Sequence, residues 1–313
     1  MNKQITEDTR HLVSAPVVVG VDGSVAAWNA LTWAAEVAVQ RGRELRIVHG
    51  LNLEGMREVV GRYDLGDPPV LDEIRTHGAI LVERAAEQAR AAAPDMRVTT
   101  EVSGEHPAKM MVRHSADAYL VVLGGSGNSG MLSHVGSILT AVTSHASGPV
   151  VVVRHDPKSA HAAHPGGPVV VGVDGGPLSH ATLAAAFEEA TERGADLVAV
   201  HVANDFDIDL ELSDILLGNV PKIEAEESLA LAESLAGWQE KYPDVQVVRE
   251  VYLSDPAGVL RRWSHDAQLL VVGSRGRGGF RSLLLGSTSG SLVQHADCPV
   301  MVVHPAAPHS VGS

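Results

Sequence analysis

At 313 residues the chain is long enough for two domains of ordinary size, and 45% hydrophobic with 20% charged residues excludes a disordered polymer and permits a buried core. A net charge of -14 with no extended basic cluster argues against nucleic acid as a partner, because phosphates need several cations in a row. No apolar run reaches the ~18 residues of a membrane span, Met1 to Arg10 is polar, and the single cysteine, Cys298, permits no intrachain disulfide. A cytoplasmic protein with no membrane partner is therefore expected.

The first patterned element is Val17-Val18-Val19-Gly20-Val21, closed by Asp22-Gly23, and the same seven residues return unchanged as Val169 to Gly175. The correspondence persists in order along the chain. Arg41-Gly42 matches Arg193-Gly194, His49 matches His201, Gly136-Ser137 matches Gly286-Ser287, and Pro149-Val150 matches Pro299-Val300. Such order implies a duplication, with domains over 14–155 and 168–305. Between them, 156–167 is rich in Ala, Gly, Pro and His without apolar periodicity, and reads as a linker. His155, His161 and His164 have no standard metal spacing, so no metal site is expected there.

In the second copy Val169 to Val173 is a short apolar run, suited to a strand buried on both faces. Leu183, Phe187 and Ala190 then recur at helical spacing, and Arg193-Gly194 supplies a left-handed helix end. Leu197 to His201 reads as the next strand. Asp205 to Glu211 alternates acids with Phe206, Ile208 and Leu210; it lacks the glycine of a calcium loop and reads as a lid with one buried face. Glu224 to Trp238 is expected to be helical, Val245 to Val251 a strand, Ala257 to Trp263 a helix and Leu269 to Val272 a strand. Thr288 to His295 and Pro299 to Val303 complete the copy as helix and strand. The first copy follows the same plan. Alternating strands and helices predict two tandem doubly wound, Rossmann-like α/β domains, pseudo-two-fold related, each with a roughly five-stranded parallel sheet. Ligands in such sheets gather at the carboxyl ends of the strands, beside the loops after the first and fourth.

The loop after the fourth strand of the second copy runs from Gly273 to Thr288. Its glycines permit close approach of backbone N–H groups to an anion, Gly286-Ser287-Thr288 opens a helix, and Arg275, Arg277 and Arg281 add positive charge. Gly273, two residues, Gly276, nine residues and Gly286-Ser287 form the pattern G-x2-G-x9-G-[ST]. With the strand Val169 to Asp174, the pair His201-Val202 and the terminal run Cys298 to Val303, this resembles the universal stress protein family in a tandem form, and the resemblance covers both copies.

The resemblance implies ATP as ligand, with Mg2+ carried by the nucleotide. It places Val173 and Asp174 against the adenosine, the backbone of Val202 at the adenine edge, and Gly273, Arg275, Gly276, Arg277, Gly286, Ser287 and Thr288 around ribose and phosphates. Val21, Asp22, Gly50, Gly124, Gly127, Gly136 and Ser137 hold the matching places in the first copy. That copy departs from the pattern: eight residues, not nine, separate Gly127 from Gly136, and Ser126, Asn128 and Ser129 stand where the other loop carries its arginines. Weaker nucleotide binding is expected there. The resemblance also implies pairing through the last strands, Val150 to Arg154 and Val300 to His304, with a further homodimer and a protein partner left open.

The aspartates have a second reading, as strand ends and helix caps. His49 and His201 read as packed histidines, with no carboxylate or nucleophile near them in sequence. Neither a P-loop lysine motif, a G-x-S-x-G elbow nor a kinase catalytic set is present. The expected function is therefore ATP binding with a regulatory role in stress response or growth arrest, through nucleotide-dependent conformation or partner binding. The alternative is slow ATP hydrolysis or phosphotransfer.

Overall fold

A computed structural model describes residues 15–60, 68–125, 133–154, 166–203, 220–277 and 285–305. Gly127, the linker histidines, the Asp205 to Glu211 segment and Arg281 lie outside them. The chain divides into two compact units between His155 and Asp156, each an alternation of strands and helices.

Unit 1 runs β1 (Val17–Gly20), α1 (Val25–Gln40), β2 (Leu45–Gly50), α2 (Leu53–Val60), α3 (Pro68–Ala92), β3 (Val98–Ser103), α4 (Pro107–His114), β4 (Leu120–Gly125), α5 (Ser133–His145) and β5 (Val150–Arg154). Its strands pair in the order β3-β2-β1-β4-β5, all parallel. The chain thus moves outward from β1 to one edge and returns to build the other side, leaving a crevice at the β1/β4 tips. Valine dominates the central strands because both sheet faces are covered: Val17 to Val19, Val121, Val122 and Val150 to Val153 are buried. Helix α1 lies close on the sheet because it presents Ala27, Ala30, Ala34 and Ala38 to it. The edge strand β3, with sequence VTTEVS, stays partly exposed and polar.

At that edge Arg113 of α4 donates to Glu101 Oε1 (2.8 Å) and to Glu105 Oε2 (3.1 Å), while His114 Nε2 lies 3.0 Å from Glu101 Oε2. Burial opposes the charge on Glu101, but the Arg113 hydrogen bond and the charges of His114 and Arg113 outweigh it and hold the carboxyl below its ordinary 4.5. For His114 burial is the largest influence, and with Arg113 and Arg46 it overcomes Glu101 and pulls the ring below its ordinary 6.5. The unfolded chain then takes up the histidine proton first, so its contribution to stability is complete above about pH 6.5 and is lost as pH falls through the lowered value. The melting temperature of unit 1 is expected to fall between pH 7 and 5, and His114→Gln to flatten that slope. A pH profile identical in both proteins would contradict it. The Glu101 contribution enters only in more acidic solution.

Unit 2 runs β6 (Val169–Val173), α6 (Ser179–Arg193), β7 (Leu197–Ala203), α7 (Val220–Leu235), α8 (Trp238–Lys241), β8 (Val247–Leu253), α9 (Pro256–Trp263), β9 (Leu269–Gly273), α10 (Ser287–His295) and β10 (Val300–Val303). The parallel order β8-β7-β6-β9-β10 repeats the plan, with the reversal at β6/β9. Helix α6 buries Leu183, Ala186, Phe187 and Ala190 and ends at Gly194, whose φ of 58° is the left-handed turn expected from Arg193-Gly194. Several expected boundaries move: the helix expected from Glu224 already starts at Val220, and the strand expected over Val245 to Val251 is Val247–Leu253. The helix expected over Glu224 to Trp238 stops at Leu235, because Gly237 turns with φ 80° and a new short helix starts at Trp238. The turn carries Trp238 onto Phe187, where the rings stack 5.5 Å apart at 9°, with Tyr242 on Phe187 at 5.3 Å. Strand β7 continues past His201 because Val202 and Ala203 still pair with Tyr252 and Leu253 of β8.

Candidate functional site

The site of unit 2 begins where β6 stops. Gly175 takes φ 70°, which a side chain would resist, and the chain folds back around the Asp174 carboxylate. Asp174 Oδ1 accepts from Gly176 N and from Ser179 Oγ, both at 2.9 Å, and Oδ2 accepts from the backbone N of Arg277 at 2.7 Å. The last bond spans two loops far apart in sequence. Asp174 therefore ties the loop after β9 to the turn after β6 through charge-assisted hydrogen bonds. Gly276 follows from the same contact, since a Cβ there would lie 2.8 Å from Asp174 Oδ2.

The β9 loop is held from below as well. Ser274, buried, donates its N–H to Val303 O (2.8 Å), and its carbonyl accepts from Gly286 N (2.8 Å). Ser289 Oγ donates to Gly273 O at 2.6 Å. These bonds bring both ends of the loop together, so that Gly286 caps α10 in an extended conformation. No side chain caps the first amides of α10 among the described residues, leaving Ser287 and Thr288 at the mouth of the helix with donors for an anion. Arg275 and Arg277, both exposed, border the same cavity.

On the opposite side of β6, His201 is buried at the tip of β7. Its Nδ1 lies 2.6 Å from Val173 O and its Nε2 2.8 Å from Glu227 Oε2 of α7. A carbonyl accepts only, so Nδ1 carries a hydrogen, and the carboxylate meets the other nitrogen. The histidine is packed, as expected, but it has a carboxylate partner 26 residues away that no local pattern signals.

Val173, Asp174, Val202, Gly273, Arg275 and Gly276 all border one cavity of about 380 Å³, and Arg277, Gly286, Ser287 and Thr288 complete its predicted lining. Glu227, Leu178, Thr182 and the α9 residues Pro256 and Leu260 border it too, although sequence reasoning did not single them out. Their positions come from helices crossing the sheet, which sequence spacing does not record.

Unit 1 differs. Val21, Asp22, Gly50 and Gly124 border a cavity of only about 90 Å³, shared with Met110, Met111, Leu123, Ile138 and Leu139. A Cβ on Gly50 would come 2.8 Å from Pro107 Cα, so the loop before α4 closes on the tip of β2, where Val202 borders open space in unit 2. Asp22 is exposed, with Oδ1 accepting from Ser24 N at 2.9 Å. His49 repeats the bond to the β1 carbonyl, Nδ1 to Val21 O at 2.7 Å, yet a Cβ on Gly78 would sit 3.2 Å from its Cδ2, so a glycine of α3 faces this ring where α7 presents Glu227. Helix α5 starts at Ser133, so Gly136 and Ser137 are its fourth and fifth residues, whereas Gly286 and Ser287 stand at the start of α10.

Among the described residues no helix is long and apolar enough to cross a membrane. The universal stress protein family model matches residues 15–154 and again 167–304. A universal stress protein of Mycolicibacterium smegmatis is 38% identical over 298 residues, covering 92% of this chain and 97% of that protein. One from Mycobacterium tuberculosis is 39% identical over 296 residues, with 92% and 96% covered. Among solved structures, a universal stress protein from Archaeoglobus fulgidus aligns with a TM-score of 0.62 at 18% identity, over 93% of this chain and 97% of its own, a likeness of fold. Two matches of one family model, in chain order and over nearly the whole length, together with relatives that are themselves matched end to end, make this chain a tandem member of the universal stress protein family.

Proposed function

We propose that unit 2 binds ATP, with Mg2+ carried on the phosphate oxygens, and that occupancy regulates the conformation or partner surface of the protein in stress response or growth arrest. The observation that carries this reading is the convergence of an uncapped helix mouth, two exposed arginines and a glycine-lined floor on one cavity of about 380 Å³. That volume falls within the ~300–1,000 Å³ of ligand pockets, and a polyanion matches its donors. The 90 Å³ cavity of unit 1 falls well below that range, and a nucleotide there would have to displace Met110 and Met111.

Binding is favoured over turnover by where the carboxylates stand. Asp174 is committed to three donors of the chain and Glu227 to His201, which leaves neither beside the helix mouth as a base for water.

Calorimetry with Mg-ATP on the full chain is expected to give one site per chain. Two equal sites would overturn the assignment to unit 2, and no heat at millimolar nucleotide would overturn ATP binding itself. Phosphate release near ~1 s⁻¹, the lower end for kinases, would replace the regulatory reading by an enzymatic one.

A further inference from the structure

We propose that Glu227 selects the base of the nucleotide, by accepting a hydrogen bond from the exocyclic amine of adenine. This rests on the reading of unit 2 as a nucleotide site and names what reads its far end.

The cavity is polarised. The loop after β9, which carries Arg275 and Arg277, and the first amides of α10 border it on one side, and Glu227, bonded to His201 of β7, borders it on the other. A carboxylate repels phosphate, so a ligand with one anionic end has a single favourable direction. The sheet order sets the span. Strand β9, which leads into the phosphate loop, and β7, whose tip carries His201, are separated by β6, and adjacent strands lie ~4.8 Å apart. Asp174 at the end of β6 stands midway. A nucleoside triphosphate has the order phosphate, ribose, base, so the part that reaches β7 is the base.

Two features make Glu227 an acceptor held in place. Its Oε2 is fixed at 2.8 Å by His201 Nε2, and that ring is fixed in turn by the Val173 carbonyl at 2.6 Å. The side chain keeps 21% of its surface exposed and borders the cavity, while the only bond to its carboxylate among the described residues is to Oε2. Asp174, the other carboxylate of the cavity, already meets three donors of the chain. Unit 1 keeps the histidine and its carbonyl bond but has Gly78 against the ring, so this reading device belongs to unit 2 alone.

The test compares ATP, 2′-deoxy-ATP and purine riboside triphosphate, which lacks only the 6-amino group, by calorimetry on the full-length protein. Wild type is expected to bind ATP at least about tenfold tighter than the purine analogue, as a hydrogen bond to a charged acceptor implies. Glu227→Met should bring the two within about threefold, while 2′-deoxy-ATP tracks ATP in both proteins. Glu227→Ala serves as the bulk-free counterpart of the Met variant. Equal binding of ATP and the purine analogue by wild type, or an unchanged ratio in Glu227→Met and Glu227→Ala, overturns the proposal. So does a selective loss of 2′-deoxy-ATP, which would put the ribose at Glu227. Wild type binding none of the three would instead sink the nucleotide site on which the inference rests.

Discussion

Asp174→Asn is expected to weaken ATP binding about 30-fold while the protein still folds, because one neutral amide cannot accept on both sides. The Oδ1 side meets two donors, Gly176 N and Ser179 Oγ, so the amide oxygen turns there and the NH2 group faces the backbone N–H of Arg277. Two donors then confront each other at a 2.7 Å contact, and the loop carrying Gly276 and Arg277 loses its tie to the β6 turn. The sheet does not depend on that tie, since β6 and β9 pair through Val169 to Val171 below it. Calorimetry together with a melting curve checks both halves: affinity drops, and the melting temperature shifts by only a few degrees. Asp22→Asn is the internal control, with one bond to Ser24 N in an exposed turn, and should leave ATP binding unchanged. Full affinity in Asp174→Asn would mean that the loop is held in place by something other than this carboxylate.

Phe187→Ala is expected to cost about 3–5 kcal/mol, the range for emptying a buried aromatic site. Phe187 is fully buried on α6, with Trp238 and Tyr242 stacked on it from the α8 turn. Truncation removes the contacts of both rings at once. The unfolding transition of unit 2 should fall by roughly 10 °C, with the change in tryptophan signal reporting the freed Trp238. Phe187→Leu retains most of the volume and should cost less than about 1.5 kcal/mol. If the alanine variant melted like wild type, the cluster would carry no stability and the turn at Gly237 would need another reason. The corresponding residue of unit 1 is Ala35, itself buried, so the duplicated units do not fill this space in the same way.

The features legible without coordinates were those written in neighbouring residues. Unbroken valine runs announced strands covered on both faces, Arg193-Gly194 announced the end of α6, and the glycine spacing from Gly273 to Gly286 announced a loop returning to a helix mouth. Each of these depends on backbone conformation or burial over a few residues, and sequence records that directly. Gly237 marks the limit: inside an apolar helical pattern a glycine is tolerated, and only the attraction of Trp238 to Phe187 makes a turn there worthwhile.

By itself the sequence determined the duplication, the parallel α/β plan of each unit and the family, because these rest on repeated local patterns that tolerate much variation elsewhere. Only the tertiary structure decided that Glu227 stands against His201, that Asp174 is a tie between two loops, and that Pro107 closes on Gly50 while the matching region of unit 2 stays open. Those outcomes depend on how close helices and loops approach across a sheet, and an approach of one or two ångströms, which separates a cavity from a packed core, leaves no periodic trace along the chain.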